Sequence, residues 1–262
     1  MKLENNDLLT TYAFENLEQY PVVSRVISRK GGHSAQPFDS LNLGGTVGDD
    51  PEHLALNKQR VWQTFEIDPE NVYDAWQVHG NTVIHATEGR KAGQPHLKAD
   101  ILVANTVGLT LLMRFADCVP LVVYDPQHHA IGIAHAGWQG TVLNVAGTLV
   151  AAMRSTFGSI PDALIAGIGP AICLYHYQVG KDVYEQFSEV AGIDSSQSRI
   201  TRGEEYFVDL KKVNLTQFRQ AGVVNIENSD LCTACDAEHW FSHRRDAGKT
   251  GRFGAFIQLQ GG

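Results

Sequence analysis

At 262 residues the chain can bury a full core, and 43% hydrophobic with 19% charged residues is an ordinary globular mix. Its formal net charge of −8 argues against a nucleic-acid backbone or an anionic membrane as the main partner, while leaving room for a local basic pocket that takes small anions. No apolar run reaches the length of a membrane span. The opening MKLENNDLLTTYAFENLEQ has neither the basic start nor the apolar core of a signal peptide, and four cysteines are too few for a disulfide framework. Together these set the expectation of a cytoplasmic protein.

No repeat and no low-complexity linker divides the sequence, so residues 1–262 are read as a single domain. A strand is predicted at 22–28. It runs into RKGGHSAQPFDSLNLGGTVGDDP, a Gly-, Ser-, Asn- and Asp-rich loop long enough to suggest function as well as connection. Residues 53–65 read as a helix with Leu54, Val61 and Phe65 on one side. AWQVHG follows at 75–80, then a strand at 82–86. The centre of the chain is a series of short aliphatic strands at 101–104, 109–115, 120–124 and 130–134. From Trp138 onward Val142, Val145, Leu149 and Met153 recur at helical spacing and predict one long amphipathic helix. A strand at 163–168, helices at 181–190 and 210–220, and strands at 223–226 and 253–259 complete the reading. Clusters of strands mixed with strand–helix pairs indicate an α+β fold of mixed β-sheets with flanking helices; the strict alternation of a doubly wound fold is missing.

His79, Cys118 and His135 fall at the ends of predicted strands beside Gly or Pro, where side chains project into loops. Two imidazoles and a thiolate are a normal zinc ligand set with an open fourth position. Each alone is more simply a buried cysteine or a hydrogen-bonded histidine, and separations of 39 and 17 residues match no local zinc motif. The same Cys and His also suit a nucleophile and its base. Asp117, next to Cys118, would disfavour a free thiolate, which tilts the choice toward metal ligation. AGWQGT after His135 opens the predicted helix and offers free N–H groups to an anion such as phosphate. Cys232, Cys235, His239 and His243 form C-x2-C-x3-H-x3-H, which reads as two free thiols near surface histidines before it reads as a metal site or redox pair, since the gap between the pairs is short for a zinc finger. Ser242, Arg244, Arg245 and Arg252 lie close by and suit phosphate or carboxylate recognition.

Eight segments, in order, carry a resemblance. SRKGGHSAQPFDSLNLGGTVGDDP with Asn57 and Arg60, QVHG, ADILVAN, RFADCVPLVVYDP, IAHAGWQGT, AGIGPAIC, YFVDL and CTACDAEHWFSHRRDAGKTGR together resemble the YfiH/YlmD family. That family was long labelled laccase-domain or polyphenol oxidoreductase and is now described as purine nucleoside phosphorylases. The resemblance implies an α/β/β/α-type sandwich shared with CNF1-like cysteine hydrolases. It implies that His79, Cys118 and His135 bind one catalytic zinc, with copper as the alternative metal. The implied reaction is phosphorolysis of adenosine, inosine and methylthioadenosine, with adenosine deamination as a second activity; purine nucleosides and phosphate are then the partners of a monomer or homodimer. Asp117 is the candidate proton handler, and Ser40, Asn42, Arg60 and Arg244 are candidates for substrate or phosphate contacts. The alternatives are a Cys–His hydrolase, an editing factor for peptidoglycan precursors, or a copper-dependent polyphenol oxidase. Multicopper laccase chemistry calls for more histidine pairs than the sequence offers.

Overall fold

Period-two alternation along the aliphatic segments decides the architecture. In the computed structural model, which describes residues 1–5, 8–190 and 198–261, the chain opens with β1 (Lys2–Asn5), β2 (Thr10–Ala13), β3 (Val22–Ile27), β4 (Val72–Asp74) and β5 (Val83–His85). It continues with β6 (Ile101–Ala104), β7 (Thr110–Phe115), β8 (Val119–Asp125), β9 (Ala130–Ala136) and β10 (Ile165–Ile168). Then come β11 (Gln178–Val179), β12 (Arg199–Arg202), β13 (Glu205–Val208), β14 (Asn225–Asn228) and β15 (Phe253–Leu259). The first sheet has the order β1-β2-β3-β15-β7-β4, the second β14-β10-β8-β9-β6-β5, and β11-β13-β12 form a small third sheet. Both large sheets mix parallel and antiparallel pairs.

Alternate residues of each strand face different layers. Phe253, Ala255 and Ile257 of β15 and Met113 and Phe115 of β7 meet Val122, Ile131 and Ile133 between the two sheets. Val119, Leu121 and Val123 of β8 face outward and are covered by Leu149 and Met153 of α3 (Val145–Phe157) and Val213 and Phe218 of α5 (Leu210–Gln220). On the far side, Leu112 and Phe256 are covered by Val61 of α1 (Pro51–Thr64) and by Leu41 and Leu43 of the long loop before it. The result is the α/β/β/α order that the resemblance implied.

Two helices differ from the reading of the sequence. The long helix expected from Trp138 is broken into α2 (Trp138–Val142) and α3, because Asn144 takes a left-handed conformation at φ 59°. Asn tolerates that region better than other residues with a side chain, and its side-chain oxygen accepts from the N–H of Gly147, so the break is also the cap of α3. The helix expected at 181–190 ends early as α4 (Lys181–Gln186), where Phe187 turns into the core under β8. Among the described residues, no helix is long and apolar enough to cross a membrane.

Candidate functional site

The β8–β9 hairpin sets up the site. Its register pairs Pro120 with His135 and Val119 with Ala136, and carried one place further it sets Cys118 opposite Gly137. His135 shares its face of β9 with Ile131 and Ile133, so its ring points between the two sheets at the end where they part, against Phe115. His79 arrives from the loop between β4 and β5. Its side chain and those of Cys118 and His135 each bring a ligand atom within 4.8 Å of the others, and the two imidazoles meet edge to face at 4.8 Å.

Asp100, fully buried, holds the arrangement. Its carboxylate accepts from His135 Nδ1 at 2.8 Å and from the backbone N–H groups of Val78, His79 and Gly80 at 3.1, 3.0 and 2.7 Å. One carboxylate therefore fixes the tautomer of His135, leaving Nε2 to face the sulfur, and pins His79 in a left-handed conformation at φ 62°. Burial works against the charge on Asp100, but His135 and these N–H groups keep its pKa below the ordinary value. Gln77 braces the same loop from the other sheet: its side chain pairs with both the N–H and the C=O of Arg114 in β7. Burial alone would raise the Cys118 thiol, yet His135 and His79 bring it down to about 6; the thiolate in turn raises His135 against the effect of its own burial. The sequence expectation that Asp117 would suppress the thiolate is thus reversed by two imidazoles, and the Asp117 carboxylate accepts instead from Thr233 Oγ1 and the N–H of Arg244.

The trio fits a metal ion. A Cβ built on Gly137 would lie 2.6 Å from His79 Nδ1 and 3.2 Å from Cys118 Sγ, so the missing side chain is what leaves space between the donors. Two imidazole nitrogens, a thiolate and one open direction suit zinc, and Asp100 behind His135 is the carboxylate–histidine support such ligands use.

Above the trio lies a cavity of about 660 Å³, within the range of small-molecule sites. Trp76, Trp138 and Tyr177 give it flat walls, and Lys58, Arg114, Arg244 and Arg252 line it with positive charge. Arg114 and Arg90 both pair with the buried Asp74. Lys58 makes no hydrogen bond or ion pair among the described residues; burial and the nearby Arg114 lower its pKa. An ammonium group in that situation is ready for an anion.

Of the residues proposed from sequence, the structure brings His79, Cys118, His135, Asp117 and Arg244 to this cavity. Ser40, Asn42 and Arg60 are outside its lining. Their polar atoms are committed to the loop before α1: Ser40 to Gly32 and Arg29, Asn42 to Gly44, Asp49 and Arg252, Arg60 to the carbonyl of Gly31. Asn42 thereby shapes the wall indirectly, through Gly44 and Arg252. The helix expected to start after His135 is only five residues long as α2, and its first residues, Trp138 and Gln139, line the cavity. Lys58 and Arg114 were missed because nothing local marks them; each looks like a surface charge until α1 and β7 are placed. Cys232 and Cys235 gather with Cys173 and His176, away from His239, which is held by Asp236, and from His243, which lines the cavity.

Fold and site together define an α+β sandwich with a cysteine–histidine trio, suited to a metal ion, at the floor of a small-molecule cavity. Residues 24–260 match the family described as multi-copper polyphenol oxidoreductase laccase, and the chain belongs to that family. Purine nucleoside phosphorylase YlmD of Bacillus subtilis is 33% identical over 97% of this chain and 94% of its own length. Purine nucleoside phosphorylase YfiH of Escherichia coli is 34% identical over 88% and 91%. The crystal structure of YlmD from Geobacillus stearothermophilus superimposes with a TM-score of 0.92, at 32% identity and 99% coverage of both chains.

Proposed function

We propose that the chain is a zinc-dependent purine nucleoside phosphorylase acting on inosine, adenosine and methylthioadenosine, with adenosine deamination as a second activity. The observation that carries the reading is the juxtaposition, in one cavity, of an ammonium group that makes no ion pair among the described residues, three guanidinium groups and the His79–Cys118–His135 trio. The names of the relatives at 33–34% identity support it.

Phosphorolysis needs phosphate delivered to the ribose carbon that bears the base, while the purine leaves with its bonding electrons. Lys58, Arg114 and Arg252 would bind the phosphate and offset its charge, which costs least where the cations are already held in place. Trp76, Trp138 and Tyr177 would grip the purine and sugar by their flat faces. His79, Cys118 and His135 would hold zinc, which supplies Lewis acidity toward a substrate oxygen or nitrogen. Asp117 keeps free lone pairs on both oxygens after accepting from Thr233 and Arg244, so it can hold or pass a proton in the deamination. Incubation with inosine should give hypoxanthine and ribose 1-phosphate in equal amounts, only with phosphate present, and Cys118→Ala should abolish turnover. Base release without phosphate, or full turnover by the variant, would refute the reading.

One observation favours a second reading. Asp100, His135 and Cys118 line up as orienting carboxylate, base and thiol, the order used by cysteine hydrolases. His79, as a third donor converging on the space over Gly137, has no part in that mechanism and weighs toward metal. The hydrolase reading requires activity that survives chelation and is lost when Cys118 is alkylated.

A further inference from the structure

Behind the cavity wall that carries Tyr177 and Arg244, two loops cross. One follows β10 and holds Cys173 and His176; the other follows β14 and holds Cys232 and Cys235. Backbone pairing joins them, with Ala171 bridged to Cys232 and the N–H of Thr233 donating to the carbonyl of Ala171. His176 Nδ1 lies 3.4 Å from Cys173 Sγ, 3.9 Å from Cys232 Sγ and 3.4 Å from Cys235 Sγ, and all four ligand atoms lie within 4.8 Å of one another.

We infer that Cys173, His176, Cys232 and Cys235 form a second, structural zinc site that staples these two loops together. The spacing is that of a tetrahedron: zinc bonds of about 2.3 Å to sulfur and about 2.0 Å to nitrogen place sulfur and nitrogen ligands roughly 3.5 Å apart. One nitrogen within 3.9 Å of three sulfurs is difficult to explain by hydrogen bonding, since a single Nδ1 carries at most one proton. Backbone N–H groups are directed at two of the sulfurs. The N–H groups of Tyr175 and His176 point at the sulfur of Cys173, and those of Cys173 and Cys235 at the sulfur of Cys232. Three thiolates and one neutral imidazole leave zinc with a net charge of −1. The buried ammonium of Lys211, held by the carbonyls of Ser229 and Leu231, supplies the opposite charge beside the second loop. Four protein ligands close the coordination, so the site holds structure, whereas the trio with its open direction serves chemistry.

The staple bears on the cavity. Arg244 holds Asp117 through its N–H and reaches back to the carbonyls of His176 and Gln178, while Thr233, next to Cys232, donates to Asp117. Loosening the loops would therefore loosen the wall.

Metal analysis of the full chain purified from zinc-supplied cells tests the inference. The expected result is two zinc ions per chain, falling to one in Cys235→Ala and to one in Cys118→Ala. Cobalt exchanged into Cys118→Ala should keep the intense visible bands of a tetrahedral three-thiolate site, and in Cys235→Ala those bands should be lost. Should Cys235→Ala fail to fold, zinc-edge absorption on the unmutated protein decides: about two sulfurs per zinc on average when one-sulfur and three-sulfur sites are both filled, and about one when the trio alone is filled. A single zinc per chain that Cys118→Ala removes would overturn the inference. So would a disulfide between Cys232 and Cys235, seen as a mass lower by two hydrogens. Neither outcome depends on whether nucleosides are substrates.

Discussion

Gly137 is the residue on which the trio depends most narrowly. Its φ of −76° is open to any amino acid, so a substitution acts through the space it fills and not through backbone strain. Gly137→Ala should fold with a melting temperature close to the parent and lose the metal of the trio, read by metal analysis in a protein where the second site is otherwise intact. Asp100→Asn should weaken metal binding roughly 10–100-fold, the usual effect of removing the group that orients a ligand. On the substrate side, Lys58→Ala should raise the KM for phosphate by roughly 10–100-fold, as expected for a charged hydrogen bond of about 1.5–3 kcal/mol, with little change in the KM for nucleoside. Residue chemistry was legible where it was marked by type: imidazoles and a thiol at strand ends stand out against aliphatic neighbours. Ser40, Asn42 and Arg60 became candidates through the family resemblance, yet their polar groups serve the backbone of a loop too long to satisfy its own N–H and C=O groups unaided.

Among the elements, the β8–β9 hairpin and the α2–α3 break do the positioning. The hairpin was legible because each strand is a run of aliphatic residues bounded by turn residues, and its register brings residues 118 and 135 together although no spacing rule says so. The break was not legible, since Val142 and Val145 continue a helical stripe across it and the left-handed Asn144 shows only in coordinates. Asn144→Ala should destabilise the protein by about 1–2 kcal/mol through loss of the cap and strain in the left-handed region, while Asn144→Gly should cost less; urea denaturation measures both. Short strands such as β11 and β12 left no pattern to find, because two to four half-exposed residues carry no clear alternation.

At the level of the whole molecule, two sheets packed face to face part at one end, and every proposed catalytic group collects there. Asp74, on the edge strand of the first sheet, ties this end together through Arg114 and Arg90. Burial would raise its carboxyl, but Arg114 and then Arg90 hold it well below the usual carboxylate range. A carboxyl whose pKa falls on folding stabilises the protein above its unfolded value, about 3.9, and loses that contribution as the pH drops below it. The melting temperature should therefore fall between about pH 5 and pH 3 more steeply in the parent than in Asp74→Asn, which has no such proton to take up. The α+β class with mixed sheets was legible from the clusters of aliphatic strands and the strand–helix pairs, whereas the layered α/β/β/α order came with the family resemblance. The cavity was not legible, because its walls come from α1, the loop before β5, the β8–β9 hairpin and the loops after β10 and β14, which only the assembled fold brings together.

The most direct measurement is anomalous diffraction at the zinc edge from crystals of the metal-replete, catalytically active protein. The expected result is a peak about 2.0–2.3 Å from a nitrogen of His79, from Nε2 of His135 and from Sγ of Cys118, with the Asp100 carboxylate behind His135. Active crystals that show no metal among those three side chains would contradict it.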